Sequence, residues 1–305
     1  DIKSLKKAAR QTIGPELEKR IDTIIETNLI ELKDDFKFYW NGFSIAKLSE
    51  GNDYLNPNIE LIIDDIVNQN QKDKLSSFIN KWIQYKINTV LKNLVDLKNL
   101  KEKNSSIKAL AYQIYENNGV LKREQVNEYL KKLGQNERKI LREMGVKFGR
   151  YHVFLHQLIK PDAVSLRTLL WKNFHQKYFN LKPPTFGLNF LKDESLNKNF
   201  MLLCGFEKFD NFYVRIDILE RLFMQIINSD SKDDKEIKMI PEMLNLLGCS
   251  KDNFMKLLQL MGYKLFIKEE ELYFKYKPIK KFKRTSPKKN SDQNPFNILK
   301  DLKLG

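Results

Sequence analysis

Between residues 72 and 98, large apolar residues recur every three or four positions, and this run constrains the fold more than any other feature. Because an α-helix turns once every 3.6 residues, the spacing puts these side chains on one face and predicts a long amphipathic helix. Lysines occupy much of the remaining helix surface, so one face packs on a core and the other meets water. The apolar residues are Leu75, Phe78, Ile79, Trp82, Ile83, Ile87, Val90, Leu91 and Leu94.

A tight β-hairpin is predicted upstream of this helix, over residues 36–48. Asn41-Gly42 lies between two short runs of β-favouring residues, and this dipeptide readily adopts the left-handed backbone angles of a two-residue hairpin turn. The hairpin and the helix belong to the first predicted module, residues 1–103.

The rest of the chain alternates short helices with short strands. In the second predicted module, 104–185, short helices precede a strand at 150–155, an order that resembles a helix-turn-helix unit with an attached wing. In the third, 186–277, a strand, two helices and two strands follow one another in the order of a winged helix. The predicted fold class is therefore mainly α with small β-hairpins, in several modules, followed by a flexible basic tail at 278–305.

The chain is strongly basic: it has 54 Lys and Arg against 39 Asp and Glu, for a net charge of +15. Eight of the basic residues fall within residues 272–291, where no acidic residue occurs. Pro278 and Pro287 interrupt any continuous helix there, so we expect an extended basic arm. Such a surface suits polyanions, although a solvated or partner-binding tail has the same composition.

The composition disfavours several classes of protein. Cys204 and Cys249 lie far apart, so they provide neither a disulfide framework nor a structural zinc site, and they fit a reducing, cytoplasmic interior. No apolar run approaches the length that spans a bilayer, so we expect no membrane partner. The first residues are charged and amphipathic, unlike a signal peptide.

No complete catalytic motif occurs in the sequence. No glycine is followed directly by lysine, so the phosphate loop of nucleotide-binding proteins is absent. His152 and His156 straddle the predicted strand without further metal ligands nearby, and no nucleophile elbow occurs. We therefore expect neither a metal nor another cofactor in this chain, and the sequence leaves open whether it belongs to an enzyme.

Basic residues mixed with aromatics are the best candidates for a functional surface, because Lys and Arg neutralise phosphates and aromatic rings stack on unpaired bases. The pattern around residue 153 also fits a strand with one buried face, and for Lys147 and Arg150 both interpretations stay open. The predicted nucleic-acid-binding residues are Lys147, Arg150, Tyr151, His152, Lys160, Arg167 and Lys172, with Lys277, Lys280, Lys281, Phe282, Lys283, Arg284, Lys288 and Lys289 in the tail.

Three segments carry a family resemblance: Met-Gly-Val-Lys-Phe-Gly-Arg-Tyr-His-Val-Phe-Leu at 144–155, Leu-Ile-Lys-Pro at 158–161 and Leu-Arg-Thr-Leu-Leu-Trp at 166–171. Together with 43–48 and 241–250, they resemble a region of large bacterial, chiefly alphaproteobacterial, superfamily-two helicases of the DEAD/DEAH type. Those helicases are related to the RNA helicase of the mitochondrial degradosome. In that family two ATPase domains precede this region, so the resemblance implies a C-terminal accessory portion. ATP and magnesium would then be bound only by the motor domains of the parent chain, and a start at Asp1 fits such a piece.

The resemblance also implies a function and partners. We expect the chain to grip the nucleic-acid backbone, with RNA or single strands favoured, beside the helicase motor domains, and a nuclease is a further expected partner. Two alternatives stay open: a protein-docking scaffold for a nuclease or a ribosomal component, and a stand-alone winged-helix regulator. Sequence-specific binding by a dimer favours the regulator, and salt-insensitive binding to a protein favours the scaffold.

Overall fold

The computed structural model describes residues 4, 7–8, 11–63, 67–101, 104–229 and 236–276. Its N-terminal part is a four-stranded antiparallel sheet, in the order β1-β2-β3-β4, which packs against a long helix. The elements of this part are α1 (Gly14–Thr27), β1 (Ile30–Leu32), β2 (Lys37–Trp40), β3 (Phe43–Asp53), β4 (Asn56–Leu61), α2 (Gln69–Val90) and α3 (Lys92–Lys98).

The predicted hairpin is confirmed. β2 and β3 pair from Trp40 and Phe43 outward, and the φ angles of Asn41 and Gly42 between them are 46° and 82°. A two-residue hairpin turn needs such positive angles, which explains the Asn-Gly dipeptide. The turn folds β2 onto β3 so that Phe38 is buried in the core.

The predicted long helix is present, but it is divided at Leu91. Its apolar stripe is buried, with Leu75, Ile79 and Ile83 fully enclosed. At Leu91 the backbone leaves the helical angles (φ −106°, ψ 25°), so α2 ends and α3 begins there. Burial of apolar surface, at about 25 cal/mol per Å², is the main stabilising effect in this part of the fold.

Beyond α3 the chain forms three successive units, each with a three-stranded antiparallel sheet. In each unit a helix leads into a short strand, and further helical structure leads into a β-hairpin whose second strand lies in the middle of the sheet. The first unit comprises α4 (Ser105–Glu116), β5 (Val120–Lys122), α5 (Arg123–Lys131), α6 (Gln135–Glu143), β6 (Val146–Phe148) and β7 (His152–Leu155). The second comprises α7 (Pro161–His175), β8 (Phe190–Leu191), α8 (Lys198–Leu203), β9 (Phe206–Phe209) and β10 (Phe212–Arg215). The third comprises α9 (Ile216–Asn228), β11 (Ile237–Lys238), α10 (Pro241–Leu247), α11 (Lys251–Leu260), β12 (Tyr263–Lys268) and β13 (Glu271–Tyr276).

A glycine occupies the same joint in all three units. Gly145, Gly205 and Gly262 each lie between a helix and the hairpin that follows it, with φ angles of 91°, 87° and 90°. Residues with a side chain rarely adopt such angles, so the joint favours glycine. The three glycines recur at similar intervals along the chain, which makes the units an internal repeat that was not predicted from the sequence.

The predicted modules 1–103 and 104–185 share one continuous core. A single cluster of buried residues extends from Ile21 in α1 to Leu170 in α7, because α7 packs on β3, β4 and α2 as well as on α8. The predicted boundary at 185/186 lies within the second unit, between α7 and β8. The third unit packs around Phe254, in a cluster that also includes Phe212 and Val214 of β10.

About half of the described residues are helical and the sheets are small and antiparallel, which agrees with the predicted combination of helices and β-hairpins. The element order predicted for the third module, a strand, two helices and a hairpin, is present from β11 to β13. The predicted tail, 278–305, lies outside the described residues. Within the described ranges, every helix is too short or too polar to span a bilayer.

Candidate nucleic-acid interface

An open groove of about 970 Å³ lies between the first unit and helix α9 of the third. Its walls are the start of α5, the end of α6, the β6–β7 hairpin and α9. We call it the arginine groove and define it by the five cations that line it: Arg123, Arg142, Lys147, Arg150 and Arg221. Its open shape suits an extended chain better than an enclosed small molecule.

The positive charge of the groove is only partly balanced by the two acidic residues that line it, Asp217 and Glu220. Asp217 is engaged by Arg215, with Arg215 Nε 2.7 Å from Asp217 Oδ1, and Glu220 is engaged by backbone amides. Burial lowers the pKa of Arg123, and the like charges of Arg138 and Arg150 lower it further. A groove with such uncompensated charge attracts polyanions.

Two of the cations stand over aromatic rings. Arg142 Cζ lies 5.6 Å from the centre of the Phe148 ring, and Arg150 Cζ lies 5.7 Å from the centre of the Phe223 ring. Such contacts hold a guanidinium group in place without neutralising it. The guanidinium donors stay available for phosphate oxygens, and the rings offer surfaces on which unpaired bases can stack.

The turn that carries Arg150 is held by Glu220 of α9. The two carboxylate oxygens accept hydrogen bonds from the backbone N–H groups of Arg150, Tyr151 and His152, at 2.6, 2.9 and 3.0 Å. Gly149 permits this approach, because a Cβ at that position would lie 2.3 Å from Glu220 Cδ. Burial alone would raise the pKa of Glu220, but the hydrogen bonds from His152 and from the turn lower it overall. The two walls of the groove are thus fixed to each other.

His152 lies inside the protein, which contradicts the prediction that it contacts nucleic acid. Its side chain is 2% exposed, with Nε2 2.8 Å from Glu207 Oε2 and Nδ1 3.6 Å from Glu220 Oε1. Lys122 Nζ reaches the other oxygen of Glu207 at 2.8 Å. Burial would lower the pKa of His152, but the two carboxylates raise it overall. His152 therefore connects the first unit to β9 and α9.

Arg167 is fully buried, so its predicted role as a nucleic-acid contact is also corrected. Its guanidinium donates to the carbonyl oxygens of Asn118 at 2.7 Å, Leu158 at 3.0 Å and Leu203. Asn118 follows α4 and Leu203 ends α8, so the cation lies at the C-terminal ends of two helices, where the helix dipole stabilises it. Burial lowers the pKa of Arg167 to about 10. Arg167 therefore holds the first two units together through hydrogen bonds in the interior of the protein.

Lys172 is buried as well, at 5% exposure, and a partner outside the protein cannot reach it. Its Nζ donates to Leu181 O at 3.0 Å and lies 5.6 Å from the centre of the Phe36 ring. Lys160 is exposed but does not line the groove. Tyr151 is half-buried, with its ring edge-on to Phe223 at 5.6 Å.

Of the predicted residues that the structure describes, Lys147 and Arg150 are the two that come together in the groove. The tail residues lie outside the described part of the chain, and these are Lys277, Lys280, Lys281, Phe282, Lys283, Arg284, Lys288 and Lys289. Sequence reasoning missed Arg123, Arg142 and Arg221. The sequence offers one signal for Arg142, which lies three residues before Gly145 at the joint between helix and hairpin. No local signal marks Arg221.

No three His, Cys, Asp or Glu side chains of the described residues are placed to hold a metal ion together. No family model, curated protein or solved structure matches this chain. The geometry and charge of the groove are therefore the basis for a proposed function.

Proposed function

We propose that the chain is a nucleic-acid-binding module that grips the phosphate backbone in the arginine groove, as the C-terminal accessory portion of an ATP-dependent helicase. The observation that carries the binding is the convergence of five cations on one groove that only two carboxylates line. The helicase context is carried by the resemblance of segment 144–155, which contains Lys147 and Arg150. Phosphate contacts of this kind hold a strand without reading its sequence.

We also propose RNA or single strands as the ligand. Phe148 and Phe223 stand beside the cations, and aromatic rings next to basic groups are typical of sites that hold unpaired nucleotides. A duplex would use the cations but not the rings, so it would bind more weakly.

The three units are proposed to be winged-helix modules. The order helix, strand, helix, helix, strand, strand in the first and third units supports this, as does the central position of the last strand in every sheet. The second unit has one helix rather than two between its first strand and its hairpin. In helix-turn-helix proteins the second helix of the pair contacts nucleic acid. Here that helix is α6, and Arg142 near its end lines the groove.

Binding of labelled single-stranded RNA, single-stranded DNA and duplex over a salt series tests the groove. The triple variant Arg142→Gln, Lys147→Gln and Arg150→Gln should bind more weakly than wild type. Its plot of log K against log salt should be shallower by about 2, since each phosphate contact of a single strand contributes about 0.7 to the slope. A loss of affinity at one salt concentration alone would not distinguish a groove from a general effect of net charge.

A matched control separates these two effects. The variant Lys19→Gln, Lys81→Gln and Lys108→Gln removes the same charge from exposed positions outside the groove. Equal losses in the two triple variants would refute a specific groove. Removal of residues 277–305 keeps every described residue, so binding that disappears with this segment would put the polyanion site there instead.

A protein-docking scaffold is the second candidate, and one surface favours it. The connection between α7 and β8 exposes four large apolar side chains, and these are Tyr178, Phe179, Phe186 and Leu188. Adjacent exposed apolar groups are typical of protein-interaction surfaces. Salt-insensitive binding of a purified nuclease, lost in Phe179→Ser and Phe186→Ser, would favour the scaffold over the groove.

A further inference from the structure

The third unit differs from the other two because one face of its sheet is left open by the described residues. The central strands β7 and β10 are buried along nearly their whole length, since the chain packs on both of their faces. In β13 buried and unburied residues alternate, with Leu272 and Phe274 buried. The sheet of the third unit therefore has a core face and an outer face.

The outer face presents two stacked aromatic rings with lysines around them. Tyr273 pairs with Phe266 on one side and with Lys238 on the other, so these three residues share the face. The Phe266 and Tyr273 rings are inclined by 15°, with 6.1 Å between their centroids. Both rings are half-buried and lie outside the core cluster of the unit. Lys268 Nζ lies 5.5 Å from one ring centre and 6.0 Å from the other.

The neighbouring cross-strand pair on the same face consists of two lysines. Lys264 is directly opposite Lys275, both are exposed, and neither forms an ion pair with a described residue. Like charges that face each other destabilise a sheet, so the packing of the sheet does not explain this pair. By contrast, Lys238 on this face is paired with Glu271 at 2.5 Å. An anion bound between Lys264 and Lys275 would remove their repulsion.

We propose that this outer face, defined by Lys264, Phe266, Tyr273 and Lys275, is a second nucleic-acid site that takes unpaired single-stranded RNA or DNA. Nucleobases stack on the two rings, and the two lysines bind phosphates of the same strand. Aromatic rings alone would also suit a protein, but the unbalanced lysine pair favours a polyanion. The nearly parallel ring pair then favours a polyanion with accessible bases, which a duplex lacks. This site rests on the proposed nucleic-acid function of the chain, but not on the arginine groove.

The double variant Phe266→Leu and Tyr273→Leu tests the stacking, because leucine keeps an apolar side chain and removes the ring. Stacking on two aromatics implies single-strand binding about 10-fold or more weaker in the variant. Binding of duplex, and of a strand of abasic nucleotides, should match wild type. Fluorescence of 2-aminopurine in the strand should be quenched by the wild-type protein and not by the variant. Tyr85→Leu, which removes an exposed ring from α2, is the matched control.

The charge of the site is tested by Lys264→Gln and Lys275→Gln together, with Lys251→Gln on α11 as a control outside the face. The slope of log K against log salt for single-strand binding should become shallower by about 1.4, as expected for two lost phosphate contacts. Thermal unfolding of each variant shows whether it is folded, and the single changes Tyr273→Leu and Lys264→Gln replace any double variant that is not.

The outcomes separate the two sites. Unchanged single-strand binding by folded sheet-face variants overturns the second site and leaves the arginine groove standing. Loss of binding in the sheet-face variants, with none in the groove triple variant, overturns the groove and supports the sheet face. If the wild-type chain binds no nucleic acid at all, both proposals fail.

Discussion

Replacement of Arg167 by methionine should lower the stability of the protein without changing what the arginine groove binds. Methionine is long and apolar but has no donor. The carbonyl oxygens of Asn118, Leu158 and Leu203 would therefore each lose a hydrogen bond inside the protein. Since Arg167 is fully buried, no surface contact would be lost at the same time.

The magnitude follows from two opposing effects. A buried carbonyl without a donor costs about 1–3 kcal/mol, so three of them cost about 6 kcal/mol at the middle of that range. Removal of the cation relieves the cost of burying it, and burial lowers the pKa of Arg167 to about 10, which corresponds to about 3 kcal/mol. The net loss is about 3 kcal/mol, or a Tm lower by about 5 °C for a chain of this size.

Calorimetric unfolding of the variant measures this loss. Lys160→Met is the control, because Lys160 is exposed on the segment just before α7 and should leave the Tm unchanged. Nucleic-acid affinity, measured at a temperature where both variants are folded, should match wild type for Arg167→Met. An unchanged Tm together with a clear loss of affinity would refute the interior role of Arg167 and restore the surface role that the sequence indicates.

Gly149→Ala would place a Cβ 2.3 Å from Glu220 Cδ, so we expect it to separate the turn from α9. The variant should have a lower Tm and bind nucleic acid more weakly. Wild-type values for both would contradict the role of Glu220 in holding the turn. Glu207 and Glu220 raise the pKa of His152 despite its burial. The contacts of protonated His152 with these carboxylates therefore stabilise the folded protein fully below the unfolded pKa of about 6.5, and this stabilisation is lost as pH rises through the folded pKa. Urea unfolding should therefore show stability that declines above pH 6.5 in wild type, and declines less in His152→Gln; identical slopes would exclude this linkage. At the acid end, the contact with His152 holds the pKa of Glu207 below its usual range despite burial, so stability in the same series should fall as pH drops below about 4.5. Gly42→Ala puts a side chain at a φ of 82° and should lower the free energy of unfolding by about 1 kcal/mol. A thermal melt measures this loss, and an unchanged Tm would contradict the turn angles given above.

Features of the fold that depend on neighbouring residues were predictable from the sequence. The Asn41-Gly42 turn, for example, follows from one dipeptide whose residues readily adopt positive φ angles. The break of the long helix at Leu91 was not predictable in this way, because the apolar stripe continues through Leu91 without a change of period. Periodicity reports which face is buried, and it does not report where the helix axis bends.

The direction of charged side chains depends on contacts that are distant in sequence. Arg150 and Arg167 both lie among apolar residues, yet Arg150 is exposed and Arg167 is fully buried. The difference arises from carbonyl groups that the fold brings to Arg167, one of them on Leu203, 36 residues away. Arg221 likewise reaches the groove only because α9 packs beside the first hairpin. The candidate site could therefore be predicted at Lys147 and Arg150 but not across the groove.

The internal repeat could have been read from the sequence. Met144-Gly145, Cys204-Gly205 and Met261-Gly262 each lie between the end of a helix and a strand that contains aromatic or branched residues. The second unit lacks one of the helices that the other two have, so the elements do not follow a fixed pattern and the repeat is easily missed. Recognition of the glycine joints would have identified the unit 161–215, which was predicted only as a helix, a loop and a hairpin.

The turns of the three hairpins are held by different contacts, and these contacts bear on the two proposed nucleic-acid sites. Glu220 on α9 holds the turn of the first hairpin, and Lys256 on α11 holds the Asp210-Asn211 turn of the second. The tip of the third pairs with Glu236 and Lys238 of its own unit. The turn of the first hairpin is fixed to α9, so in our proposal the first unit acts through side chains of this turn, such as Arg150. The described residues leave the outer face of the third sheet open, and we propose that single-stranded nucleic acid binds there directly. Because no residue is shared between the arginine groove and this face, the losses of binding free energy in the two sets of variants should add.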